Sequence, residues 1–124
     1  MKPTNRPFDS LDVLPLSEST FLILVSLEGG PKHGYAIMKE VEELSRGRVM
    51  LSTGTLYGAI KRLLQDEWIS RVEVPEDGED ARGRKSYALT RRGRRVLEAE
   101  VQRLRQLAKM ARRRLSPEAH SGGD

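Results

Sequence analysis

The sequence contains no cysteine. Disulfides, zinc–thiolate clusters and thiol catalysis are therefore excluded. Histidine is almost as scarce, with only His33 and His120. His33 falls at an expected helix start, where capping is the ordinary role, and His120 falls in a polar tail. The carboxylates lie on polar faces or in loops, without the apolar surroundings that tune a general acid or base. No glycine-rich loop suited to cradling phosphate is present. An enzyme is therefore not expected, nor is a metal site or a cofactor. Long apolar runs are missing too. The longest, Phe21 to Val25, is far too short to span a bilayer. The first ten residues carry charge with no apolar stretch behind it, so no secretory leader is expected and the protein reads as cytoplasmic.

What is present is charge and helix-forming side chains. Charged residues make up 32% of the 124 positions and hydrophobic residues 37%. A soluble, mainly helical domain fits that balance. A chain this short buries a modest share of its surface, so a partner subunit would help. The net charge is +4, unevenly spread. Arg91 to Leu115 holds ten basic residues and two acids, a local charge of +8, which leaves −4 on the remainder. The excess sits on one helix, so the overall basicity is weak support for nucleic-acid binding.

Periodicity orders the elements. Residues 1–15 are polar, with three prolines, and read as a flexible arm from which Phe8, Leu11 and Leu14 reach the body. Ser17 and Glu18 suit a helix start. The helix that follows is apolar on nearly every side and hence buried on nearly every side. Gly29, Gly30 and Pro31 end it. A second helix runs from about Gly34 to Ser45, with Ile37, Val41 and Leu44 as its apolar stripe. A third begins at Ser52 or Thr53 with Leu56, Ile60, Leu63 and Leu64 inward. From Trp68 to Val74 the pattern alternates, with Trp68, Ser70, Val72 and Val74 on one side. Ser86 to Thr90 alternates again after an acidic, glycine-containing loop, so the two runs predict a hairpin. Thr90 caps a last helix reaching about Leu115, and residues 116–124 read as a disordered tail. Helix, helix, helix, hairpin, long helix is the order of a winged helix-turn-helix. The expected fold is thus mainly α with a two-stranded wing, a winged domain over residues 16–90 and a dimerisation helix over 91–115.

The third helix has the makings of a DNA reader. Opposite its apolar stripe lie Gly54, Thr55, Gly58, Lys61, Arg62 and Gln65, with Tyr57 at the boundary. The glycines hold nothing out from the backbone, Thr55 suits base edges or phosphates, and Lys61 and Arg62 suit phosphates or guanine. A solvated polar face is the plain alternative. Each glycine inside a helix costs roughly 0.5–1 kcal/mol relative to alanine, which a purely structural helix has little reason to carry. Arg82, Arg84 and Lys85 add charge before the second wing strand, where phosphate or minor-groove contact is common.

On the last helix, Leu97, Val101, Leu104, Ala108, Ala111 and Leu115 recur at spacings of four and three, a heptad seam. Leu107 and Met110 widen it. At about 1.5 Å per residue this helix is about 37 Å long, longer than so small a domain. A homodimer is expected. Arg91, Arg92, Arg94 and Arg95 crowd the positive end of the helix. Two readings stand for them: contact with flanking phosphates, or pairing with acids such as Glu98 four residues after Arg94.

At these residues the chain resembles the PadR family of transcriptional regulators, in its smaller subfamily with a single C-terminal helix. The resemblance is carried in order by Leu27-Glu28-Gly29-Gly30-Pro31-Lys32-His33-Gly34-Tyr35, by Leu51-Ser52-Thr53-Gly54-Thr55-Leu56-Tyr57, by Arg62-Leu63, and by Gly83-Arg84-Lys85-Ser86-Tyr87-Ala88-Leu89-Thr90 with Gly93. It implies a homodimeric repressor that binds double-stranded DNA and, in some members, is released by a small hydrophobic effector. By position it implies DNA contacts from Ser52, Thr53, Thr55, Tyr57 and Lys61, with Arg84 and Lys85 from the wing, and a packing role between helices for Tyr35. Gly58 stands where many members have proline. Glu67 stands where the family usually has glycine, which predicts a strained or reshaped turn. The last helix carries no aromatic residue, which argues against an aromatic-lined drug slot at the dimer interface. A winged-helix interaction module that does not bind DNA is the competing function.

Overall fold

A computed structural model describes residues 13–73 and 85–117. The expectations for Phe8, Leu11, Val74, Arg82, Arg84 and the tail after residue 117 lie outside the described residues.

Helix α1 spans Glu18–Glu28, and the Ser17 hydroxyl accepts from the Thr20 amide at its start. Leu22, Ile23, Leu24 and Leu27 are buried, and Phe21 and Val25 pack on the same core. Even Ser26 is buried, its hydroxyl donating to the Ile23 carbonyl at 2.7 Å. This helix is the centre of the domain, as its continuous apolar sequence requires. Helix α2, Gly34–Leu44, turns Ile37 and Val41 inward. Leu44, expected on that stripe, is instead largely exposed at the helix end. Helix α3 spans Thr53–Gln65 and buries Leu56, Ile60 and Leu63.

The sheet has three strands rather than the expected two. Strand β1 is Lys32–His33, β2 is Ile69–Val72 and β3 is Ser86–Leu89, in the antiparallel order β1-β3-β2. Arg71 faces Tyr87 and Val72 faces Ser86 across the wing, while His33 faces Ser86 on the other edge. Of the two sides of the β2 alternation, the one that carries Ile69 faces the core. Ile69 is the buried residue, and it pairs with Leu89, whereas Trp68 and Val72 are only half-buried. The long helix α4 runs Arg91–Leu115, capped by the Thr90 hydroxyl, which accepts from the Gly93 amide at 2.9 Å. Gly93 is fixed by contact: a Cβ there would overlap the Trp68 carbonyl.

Between α3 and β2 the chain turns through a Schellman-type cap. The Trp68 amide donates to the Leu63 carbonyl at 3.0 Å and the Glu67 amide to Leu64 at 3.0 Å. Glu67 occupies the left-handed position, at φ 64°, so the expected strain is present. That conformation disfavours a side chain by roughly 1–2 kcal/mol. The Arg92–Glu67 ion pair at 3.1 Å is exposed on the glutamate side and offsets little. Glu67→Gly is expected to raise stability by about 0.5–1 kcal/mol, after the greater unfolded-state freedom of glycine is subtracted. Urea denaturation checks this, and an unchanged or lower midpoint contradicts it.

One carboxylate departs from the sequence reading. Glu100 is only 2% exposed. Its oxygens accept from the Leu16 amide at 3.0 Å and from Arg103 at 2.6 and 2.9 Å. It thereby pins the entry to α1 onto α4. The Arg103 hydrogen bond holds the Glu100 carboxyl below its ordinary value of 4.5; burial opposes this shift, and the Leu16 amide and the Arg103 charge reinforce it. Because the folded pKa lies below the unfolded one, the contribution is full above about pH 4.5 and is lost as pH falls through the folded value. Native protein should therefore lose stability more steeply than Glu100→Gln between about pH 5 and pH 3. Parallel acid slopes in urea titrations would exclude this role.

Candidate nucleic-acid interface

The start of α3 is organised by Ser52. Its hydroxyl accepts from the Thr55 amide at 3.1 Å and donates to the Thr55 hydroxyl at 2.9 Å. The apolar face of the helix is consumed by the core, so the opposite face must point outward. Ser52, Thr53, Gly54, Thr55, Tyr57, Gly58, Lys61, Arg62 and Gln65 are all exposed. Lys61 and Arg62 have no carboxylate partner among the described residues. Side chains placed on Gly54 and Gly58 would meet no atom within 4 Å. Nothing in the chain's own packing calls for glycine at either place.

The wing root lies beside this helix. Lys85 is exposed, immediately before β3; Arg84 is outside the described residues. His33 stands at the N-cap position of α2 but makes no side-chain cap. Its Nδ1 lies 3.0 Å from the Ser86 hydroxyl instead. The capping role expected for it is replaced by a tie between α2 and the wing.

The packing role expected for Tyr35 falls to Tyr57, which stays exposed enough to face a ligand as well. Tyr35 is 64% exposed and packs between no helices. Tyr57 is partly exposed, yet its ring lies against Gly34: a Cβ on Gly34 would stand 2.8 Å from the ring carbon bearing the hydroxyl. Behind it Tyr87 is buried. Burial, and then the neighbouring Tyr57, push the Tyr87 phenol above its ordinary value, opposed by Arg71.

The arginines at the start of α4 sit elsewhere. The Thr90 amide donates to the Trp68 carbonyl at 3.0 Å, so α4 begins beside the C-terminal end of α3. That is about 20 Å from the Ser52 end, at about 1.5 Å per residue. Arg94 pairs with Glu28 at 2.8 Å and only distantly with Glu98, at 3.9 Å. Arg92 pairs with Glu67. The paired alternative fits these two residues, with Glu28 as the principal partner of Arg94.

Further along α4 the exposed seam is Val101, Leu104, Ala108, Ala111 and Leu115, with Leu107 and Met110 beside it. Leu97 does not belong to it. At 7% exposure it is part of the chain's own core, because the first two turns of α4 still lie on the domain. No helix among the described residues is long and apolar enough to cross a membrane.

A family model for the transcriptional regulator PadR-like family matches residues 23–99. The chain belongs to the PadR family. A crystal structure of a PadR family transcription regulator from Clostridium difficile is 33% identical, with a TM-score of 0.68, over 81% of this chain and 100% of that one. A transcriptional regulator from Clostridium thermocellum shares the fold at 23% identity and a TM-score of 0.62, over 78% and 92% of the two chains. An uncharacterized 37.1 kDa protein in transposon TN4556 of Streptomyces fradiae is 35% identical over 92 residues, 74% of this chain. The chain spans about a quarter of that relative, 24% of its length. The PadR family to which the chain belongs is a family of transcription regulators. Within the PadR core, sequence reasoning missed Gly34 and Glu100. The signal for Glu100 was available, since it lies three residues after Leu97 and four before Leu104, on the apolar side of α4.

Proposed function

We propose that this PadR protein is a homodimeric repressor whose α3 helices read two half-sites of an operator. The observation that carries the reading is the outward face of α3: two glycines with open space around them, flanked by Thr53, Thr55, Lys61 and Arg62. An approach from outside gives both glycines a reason, since the missing side chains admit a duplex close to the backbone. Ser52, Tyr57, Arg84 and Lys85 complete the contact set, with Lys85 and Arg84 directed to phosphate or minor groove. The seam from Val101 to Leu115 pairs two copies, so that each brings one reading helix. Half-sites then fall about 34–36 Å apart or at multiples of that distance. Response to a small hydrophobic effector rests on family resemblance alone, and α4 brings no aromatic side chain to receive one.

The test is fluorescence anisotropy on the duplex upstream of the protein's own gene, across a range of salt. Affinity should fall with salt in proportion to the number of phosphates neutralised. Lys61→Ala should lower that slope by about one. No selective, salt-dependent binding would favour the interaction-module reading.

A further inference from the structure

Gly34 is the first residue of α2 and is buried. No positive φ demands glycine there: among the described residues the positive-φ glycines are Gly30 and Gly47. What demands it is the ring of Tyr57, which reaches across from α3 and occupies the volume a side chain would need, with 2.8 Å to the hydroxyl-bearing carbon and 3.3 Å to the adjacent ring carbon. Backbone does not hold this place. The atoms in the way belong to the far end of a side chain that has solvent beside it.

We infer that Gly34 is a seat for Tyr57, and that this seat sets the reading helix at its angle to α2. The inference rests on the DNA-binding reading above. Three observations bear on it. Tyr57 is on the boundary of the outward face, so displacing its ring moves it toward anything docked on Thr53, Gly54 and Gly58. Tyr57 also acts electrostatically on Tyr87, the residue opposite Arg71 in the wing, so the ring seated against α2 stands within range of the sheet as well. His33, next to Gly34, is tied to Ser86 at the root of the wing. The start of α2 is thus held to the wing on one side and to α3 on the other. Gly34 acts through Tyr57, as a positioning residue, and touches no DNA itself.

Gly34→Ala leaves the core residues of α2 in place, because Tyr57 swings outward instead. The variant should fold and dimerise as the native chain does, yet bind the duplex upstream of its own gene about tenfold more weakly, the scale of one lost base contact. In a Tyr57→Ala background the same substitution should cost nothing further, because the ring it displaces is gone. A merely structural glycine would lose the same factor in both backgrounds, and that result overturns the seat. Native affinity in Gly34→Ala overturns it as well. Nuclear Overhauser contacts between the Gly34 Hα protons and the Tyr57 ring provide a readout independent of DNA. Their absence in a native protein that binds the duplex overturns the seat alone. Their presence in a native protein that binds no DNA overturns the regulator reading, and the positioning role with it.

Discussion

Changing Gly54 and Gly58 together to alanine is expected to stabilise the protein and to weaken its hold on DNA. The two effects have opposite signs for one physical reason. In the free chain neither added methyl meets another atom within 4 Å. Each alanine removes the backbone freedom that glycine retains when unfolded, worth roughly 0.5–1 kcal/mol in a helix interior. Gly58, in the body of α3, should give the larger share. Gly54 lies in the first turn and should give less. A gain of about 1–1.5 kcal/mol raises Tm by several degrees in a domain of this size. On DNA the same methyls occupy the one face free to approach base edges. Losing a good base contact and the register of its neighbours should lower affinity by about tenfold to a hundredfold. Thermal denaturation and anisotropy on one preparation measure both quantities. A double variant that is more stable and binds as tightly as the native chain would remove the main argument for α3 as the reader. A less stable variant would mean that the glycines serve the fold.

How far the sequence reached depended on the kind of information each element needed. Helices α1, α3 and α4 were legible to within a residue because cap and periodicity agree: Ser17, Ser52 and Thr90 each accept from the amide three residues on. The outward face of α3 followed, since four inward positions on a helix determine what points away. The two residues of β1 were not legible. So short a strand has no periodicity, and its pairing with β3 joins positions more than fifty residues apart. Which of Tyr35 and Tyr57 is packed was equally hidden, because the answer lies in an empty volume at Gly34, on another helix. The strand β2 was legible as an alternation, but which of its two sides turns inward was not, and the buried residue is Ile69. Glu100 was misplaced for a different reason. A charged residue within a strongly charged helix looks solvated, and only its ties to Leu16 and Arg103 make burial tolerable.

Leu97 locates the point at which α4 leaves the chain's own core, and the proposed dimer seam lies beyond it. It follows the same heptad as Leu104 and Leu115, yet it is 7% exposed where they are 40% and 78%. A continuous seam is therefore divided near Glu100, the last buried residue of the helix. The two sides of that division should answer differently to substitution. Leu97→Ala removes buried methyl groups from the domain core and should lower stability by about 2–5 kcal/mol. Leu104→Glu with Leu107→Glu places charge on a surface already exposed in the single chain, so the domain should remain folded. It should no longer pair, because an interface leucine replaced by carboxylate leaves charge to be buried without a partner. Light scattering should then report the 14.0 kDa chain mass in place of twice that value. Operator affinity should fall by about a hundredfold or more, since each reading helix would act without the effective concentration supplied by its twin. Retention of the double mass in this variant would place the contact between copies elsewhere. A monomer that kept full affinity would mean that one half-site suffices.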